Sequence, residues 1–156
     1  MHTLYLGLGS NLGDRRTYIS QAIHLLQERV GEVESVSSIM ETEPWGFLSD
    51  NKFLNAACRV STVLTPEECL KETKEIERTL GRRQKSQGGV YHDRTIDIDL
   101  LMYDDLHICT PSLTLPHPRI MERDFVRLPL QEVMASSDLK GIHGSVEKGG
   151  DKKPCI

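Results

Sequence analysis

The sequence predicts an α+β fold in which a largely antiparallel sheet is covered by helices. Three observations predict it. Helical and extended patterns alternate along the chain, several joins between them are short or hairpin-like, and 156 residues suffice for one ordinary core but not for two. A doubly wound parallel sheet fits these joins less well. A single domain over residues 1–137 is expected, followed by a polar tail at 138–156 that is rich in Gly and Lys and poor in large apolar residues.

The elements follow in order. "TLYLGL" reads as a first strand, and "GSNLGD" turns into a helix from Arg15 to Val30, with Ile19, Ile23, Leu26 and Val30 at helical spacing. Asn11 or Asp14 is expected to cap it. Residues 32–42 alternate as a second strand, "EPWGFLSDN" is a loop, and "FLNAACRVSTV" is a third strand. Thr65 and Glu68 frame a capping box for a helix over Thr65 to Leu80, which Gly81 stops. The stretch 81–93 has three glycines and no apolar periodicity, so it reads as a long loop. A strand over "RTIDIDLLMY" comes next, then "YDDLHIC" as a hairpin, proline-rich "LTLPHPR", and a short helix through "FVRLPLQEVM".

Composition narrows the function classes. The chain is 38% hydrophobic and 27% charged, which suits a soluble globular protein, and no apolar run reaches the length of a membrane span. The opening "MHTLYLGLGS" lacks a secretory signal, so a cytoplasmic location is expected. Cys58, Cys69, Cys109 and Cys155 have no metal-binding or disulfide spacing and read as reduced thiols. A net charge of −4 gives no general attraction to nucleic acid, so any anion site must be local.

Two glycine-rich motifs fail on spacing. "GLGSNLGD" is G-x-G-x-x-x-G rather than the dinucleotide fingerprint, and reads as a tight turn. "GSVEKGG" puts Gly150 where a phosphate-binding loop needs lysine.

The strand "RTIDIDLLMY" carries chemistry instead. Ile96, Ile98 and Leu100 share one face, while Asp97 and Asp99 share the other with Cα atoms about 6.5 Å apart, a like-charge pair that calls for cations. Magnesium uses one or two carboxylates plus water and substrate phosphates, which such a pair supplies. Arg82, Arg83, Lys85 and Arg94 precede the strand, and His117, Arg119 and Arg123 follow it, giving phosphate ligands on both sides. Each cation alone would read as solvated surface charge; together they describe a magnesium polyphosphate site. A second cluster, "TEPWG", "FLN" and Phe125, offers aromatic faces beside an amide, which suits a flat heterocycle. Trp45 on its own reads as a core anchor.

"GLGSNLGD", "ETEPWG", "FLNAA", "IERTLGR", "DRTIDIDLLMY" and "LPHPRIMERDFVRLPL" together resemble, in order and spacing, the 6-hydroxymethyl-7,8-dihydropterin pyrophosphokinases of folate biosynthesis, over about residues 3 to 134. The resemblance implies an α/β/α sandwich of ferredoxin-like character and transfer of diphosphate from ATP to the pterin hydroxymethyl group, releasing AMP. It implies that Asp97 and Asp99 hold two magnesium ions and that Arg82 and Arg94 hold the transferring phosphates. By the same likeness His117, Arg119 and Arg123 are further triphosphate ligands, and Glu77, Leu100 and Thr114 fall in the nucleotide pocket. Thr42, Phe53, Asn55 and Phe125 match the pterin slot, and Trp45 a position that offers backbone. ATP and the pterin are the expected partners of a monomer, with no nucleic acid and no membrane. Many members have W-x-P-R before the carboxylate strand; "YHDR" here puts Tyr91 and Asp93 at those places. A second loop arginine corresponds to Arg83 or is replaced by Gln84 or Lys85. Two other classes fit parts of the pattern: a nucleic-acid binder, which the acidic balance opposes, and a metal-dependent phosphohydrolase.

Overall fold

A computed structural model describes residues 1–42, 52–81 and 95–134. The expected tail, the loop after Gly81 and the segment holding Trp45 lie outside them.

Strand β1 (His2–Ser10) leads into helix α1 (Arg15–Arg29), whose N-terminus Asp14 caps by accepting the Thr17 backbone N–H at 3.2 Å. The extended stretch expected over 32–42 is interrupted into β2 (Gly31–Val36) and β3 (Met40–Thr42). At the break the Ser37 N–H donates to the Ala57 carbonyl at 2.8 Å, and Ser37 Oγ accepts the Ala57 N–H at 2.8 Å. Both short strands therefore lie along the one long strand β4 (Phe53–Thr62). Helix α2 (Pro66–Thr79) starts on the expected capping box, with Glu68 N–H to Thr65 Oγ1 at 3.2 Å and Thr65 N–H to Glu68 Oε1 at 2.9 Å. Gly81, at φ +104°, ends it in a conformation that a side chain would strain.

Strand β5 (Asp97–Tyr103) holds the paired aspartates. The turn after it exists, but the hairpin expected at "YDDLHIC" does not form: β6 (Ile108–Cys109) pairs with β7 (Thr114–Leu115) as a separate ribbon. Asp104 explains why. Its carboxylate accepts the Thr3 N–H at 2.7 Å and binds His2 Nδ1 at 2.7 Å, so the chain leaving β5 is fastened to the start of β1 rather than folded back on β5. Helix α3 (Asp124–Val133) closes the described chain.

The sheet runs β2-β4-β1-β5, with β3 also on β4, and every pairing is antiparallel. Even-numbered Leu4, Leu6 and Leu8 of β1 pack with Ile19, Leu26 and Ile76 under α1 and α2, while Tyr5, Ala57 and Leu101 pack with Leu130 and Val133 under α3. Two helices on one face and one on the other make the expected α/β/α sandwich. A bulge lets β5 serve both faces. Tyr5 opposes Met102 and Leu6 opposes Leu100, so Leu101 is the extra residue and turns toward α3.

Cys58 and Cys69 are buried free thiols, with burial pushing Cys58 up to about 12 and Cys69 up to about 11. Cys109 is disulfide-bonded, so the reduced state expected of every thiol does not extend to it.

Replacing Thr65 with alanine removes the hydroxyl half of the capping box. Urea unfolding should show a loss of about 1 kcal/mol with an unchanged slope; an unaltered midpoint would mean that α2 does not depend on its cap.

Candidate active site

The site begins with register. Gly9 of β1 lies opposite Asn55 on β4 and opposite Asp97 on β5; Gly7 lies opposite Ala57 and Asp99. Opposed residues in antiparallel strands project to the same face. Asn55, the two glycines and the two aspartates therefore share the α3 face of the sheet, beyond the part that α3 covers. Gly9 leaves a hollow beside the amide, whereas Leu101 packs over Gly7, its side chain 3.5 Å from where a Cβ would stand. A Cβ on Gly9 would stand 3.3 Å from Asn55 Oδ1 and 3.5 Å from Phe53 Cδ1. Along the sequence alone these glycines pass for turn residues; the signal that could have found them is their spacing of two within a strand, which puts both on one face.

On one side of the hollow, β3 sets Thr42 opposite Phe53, and Asn55 Nδ2 donates to Thr42 Oγ1 at 2.7 Å. With its amide nitrogen so engaged, the Asn55 carbonyl oxygen points to the Gly9 floor. Helix α3 packs across β4, β1 and β3 and carries Phe125 in its first turn. Arg123 lies just ahead of that helix, its guanidinium 5.8 Å from the Phe125 ring centre, which fixes both groups at one corner.

On the other side, Asp97 is half-buried and Asp99 exposed, while Ile96, Ile98 and Leu100 are buried beneath them as expected. A cleft of about 430 Å³ adjoins the carboxylates, a volume typical of small-molecule sites. Leu70, Leu100 and Leu113 give it apolar lining; Asp97, Asp99 and His117 give it polar lining. Thr114 and Glu77 also line it. Glu77 is buried and spends one oxygen on the Ile98 N–H at 2.8 Å, between the two aspartates. Lys74, one helical turn before Glu77 on α2, reaches the same cleft, although no motif in the sequence marks it.

Among the described residues no group of three or more His, Cys, Asp or Glu side chains converges as a metal cage. Two same-face carboxylates with oxygen donors alone fit magnesium, which keeps waters and phosphates as its remaining ligands, and not zinc.

The His117 backbone N–H donates to the Leu101 carbonyl at 2.8 Å, which holds the residue in the cleft that the carboxylates also line. Burial holds its imidazole below the ordinary value, with Arg123 and Arg119 adding to this and Asp97 opposing it. The ring is thus neutral near pH 7. Its Nδ1 accepts the Arg119 backbone N–H at 3.1 Å, which leaves Nε2 as the ring's donor. Arg119 itself reaches Glu122 at 3.6 Å on the surface. Arg82, Arg94 and Trp45 lie outside the described residues.

A sandwich of this order, with an amide and paired carboxylates on one sheet face beside a cleft, suits an enzyme that acts on phosphates. The family model described as 7,8-dihydro-6-hydroxymethylpterin-pyrophosphokinase (HPPK) matches residues 5–135, and the chain belongs to that family. It is similar to the 2-amino-4-hydroxy-6-hydroxymethyldihydropteridine pyrophosphokinase of Porphyromonas gingivalis, 52% identical over 134 residues, covering 85% of this chain and 91% of the relative. The enzyme of the same name from Bacillus subtilis is 40% identical over 156 residues, covering 94% of this chain and 92% of the relative. In fold, the chain superposes on the Plasmodium falciparum HPPK-DHPS structure with a TM-score of 0.67 at 17% identity, spanning 84% of this chain and 41% of that one. It is a pyrophosphokinase of folate biosynthesis.

Two measurements check the geometry. Gly9→Ala should weaken pterin binding by about tenfold, the loss of roughly 1.4 kcal/mol, because the added methyl presses on Asn55 and fills the floor. Calorimetry showing unchanged affinity would remove Gly9 from the slot. In the ligand-free protein, the NMR titration midpoint of His117 should fall below 6.5, and Asp97→Asn should lower it further. The sign for stability follows: the unfolded chain takes up this proton first, so stability is lost as pH drops below about 6.5, until the folded value is reached. A midpoint above 6.5 would contradict the buried, cation-flanked setting.

Proposed function

We propose that the chain binds ATP as a magnesium complex over Asp97 and Asp99, holds the dihydropterin between Phe53 and Phe125, and transfers diphosphate to its hydroxymethyl group. The observation that carries this reading is the shared floor: Gly9 faces Asn55 on one side and Asp97 on the other, so a heterocycle and a polyphosphate meet over one backbone. The adenine end takes the Leu70, Leu100 and Leu113 lining of the cleft, with Thr114 and Glu77.

The pterin hydroxyl oxygen attacks the β-phosphorus in line, the bond from that phosphorus to the α–β bridging oxygen breaks, the hydroxyl proton is released, and AMP leaves. Bound magnesium would neutralise charge on the transferring phosphates. His117 donates from Nε2 to a phosphate oxygen, and Arg119 and Arg123 flank it. Arg82 and Arg94 hold the transferring group. Asn55 and Thr42 read the edge of the heterocycle. The working unit is a cytoplasmic monomer that needs neither nucleic acid nor membrane. The net charge of −4 gives no general attraction to nucleic acid, and no helix among the described residues is long and apolar enough to cross a membrane.

The test follows AMP from ATP and magnesium, with and without 6-hydroxymethyl-7,8-dihydropterin. AMP should appear only with the pterin, and Asp97→Ala should lower the rate by about a thousandfold or more while circular dichroism stays unchanged. Nucleotide hydrolysis without pterin would make the protein a phosphohydrolase, and full activity of Asp97→Ala would overturn the metal assignment.

A further inference from the structure

Glu132 lies near the C-terminal end of α3, exposed and remote from the cleft, yet it makes two hydrogen bonds to one residue. Its Oε1 accepts the Ser38 N–H at 2.8 Å and its Oε2 accepts the Ser38 hydroxyl at 2.9 Å. A carboxylate that takes two donors from one residue fixes orientation as well as distance. Ser38 stands in the break between β2 and β3, where Ser37 already ties the chain to Ala57. Two residues later β3 begins, a strand of three residues whose last member is Thr42, bonded to Asn55. At the other end of α3 stand Arg123 and Phe125.

The two walls of the slot thus belong to different elements. Thr42 and Asn55 stand on β3 and β4, whereas Phe125 stands on α3. The apolar contacts of α3, through Leu130 and Val133, hold it down on the sheet. Polar ties add direction. Arg59 Nη1 donates to the Val133 carbonyl at 2.7 Å, anchoring α3 to β4, and Glu132 anchors it to the segment entering β3.

We propose that Glu132 is a positioning residue for the heterocycle: through Ser38 it sets the spacing between the β3 wall and the α3 wall, and so governs pterin affinity without touching either substrate. The inference rests on the slot assigned to Phe53, Asn55 and Phe125. The nucleotide cleft, lined from α2, β5 and the segment after it, shares no residue with the clamp.

In steady-state assays Glu132→Ala should raise the pterin KM by about tenfold, with the ATP KM and kcat at saturating pterin kept within about twofold. Glu132→Gln should restore most of the loss, because its amide oxygen still accepts the Ser38 N–H and its NH2 donates to the Ser38 hydroxyl. Ser38→Ala, which removes only the hydroxyl bond, should give a smaller shift of about threefold in the same direction, and it tests the clamp by itself if Glu132→Ala does not fold. A pterin KM unchanged in the alanine variants, a parallel rise in the ATP KM, or a Gln variant as impaired as the Ala variant would each overturn the proposal. Phe125→Ala separates the two levels: if it weakens pterin binding and Glu132→Ala does not, the clamp fails alone; if neither weakens it, the slot itself is misassigned.

Discussion

The site depends on one constraint, the antiparallel register that fixes β1 between β4 and β5. The pairing sets Gly9 against Asn55 on one side and Asp97 on the other. No loop placement or surface charge could compensate for an error there. A slip of one residue would turn the aspartates into the core and Ile98 out to solvent. Such a slip is opposed by the buried face of the same strands: Leu4, Leu6, Leu8, Ile96, Ile98 and Leu100 are all nearly inaccessible. Each such side chain contributes roughly 1.5–3 kcal/mol of burial, so the hydrophobic layer on one face enforces the polar arrangement on the other.

The charge distribution makes sense within that frame. A chain of net −4 would repel a polyphosphate at long range, and two carboxylates would do so at short range. The cations are concentrated where the carboxylates are, with Arg119 and Arg123 close enough to His117 to help keep it neutral. A neutral imidazole donating one N–H suits a phosphate oxygen without committing a full positive charge to a site that must also release its product.

Much of this was legible in the sequence because the signals are local. The alternation of "TIDIDL" fixes which residues share a face, Thr65 and Glu68 announce the start of α2, and Asp14 precedes α1 by the spacing a cap requires. The shared face of Asp97 and Asp99 follows from that alternation, and Glu77, Leu100, Thr114 and His117 line one cleft beside it. What escaped was set by distant partners. The hairpin at "YDDLHIC" has suitable turn residues, but Asp104 bonds to Thr3, 101 residues away, and β6 pairs onward with β7. The bulge at Leu101 depends on how β1 bends, and the hollow at Gly9 exists only because two other strands flank it. Lys74 carried no motif at all; only packing of α2 beside β5 brings it to the cleft.

The bond from Glu77 to the Ile98 N–H has a consequence for how the molecule behaves toward its own copies. β5 is the last strand of the sheet, and an outer strand with open amides invites another chain to pair along it. Glu77 occupies such a position with a carboxylate, and Asp97 and Asp99 flank it with further negative charge. An incoming strand would have to displace one acid and pass two others. The carboxylates proposed to act on phosphates therefore also make this border a poor template for aggregation.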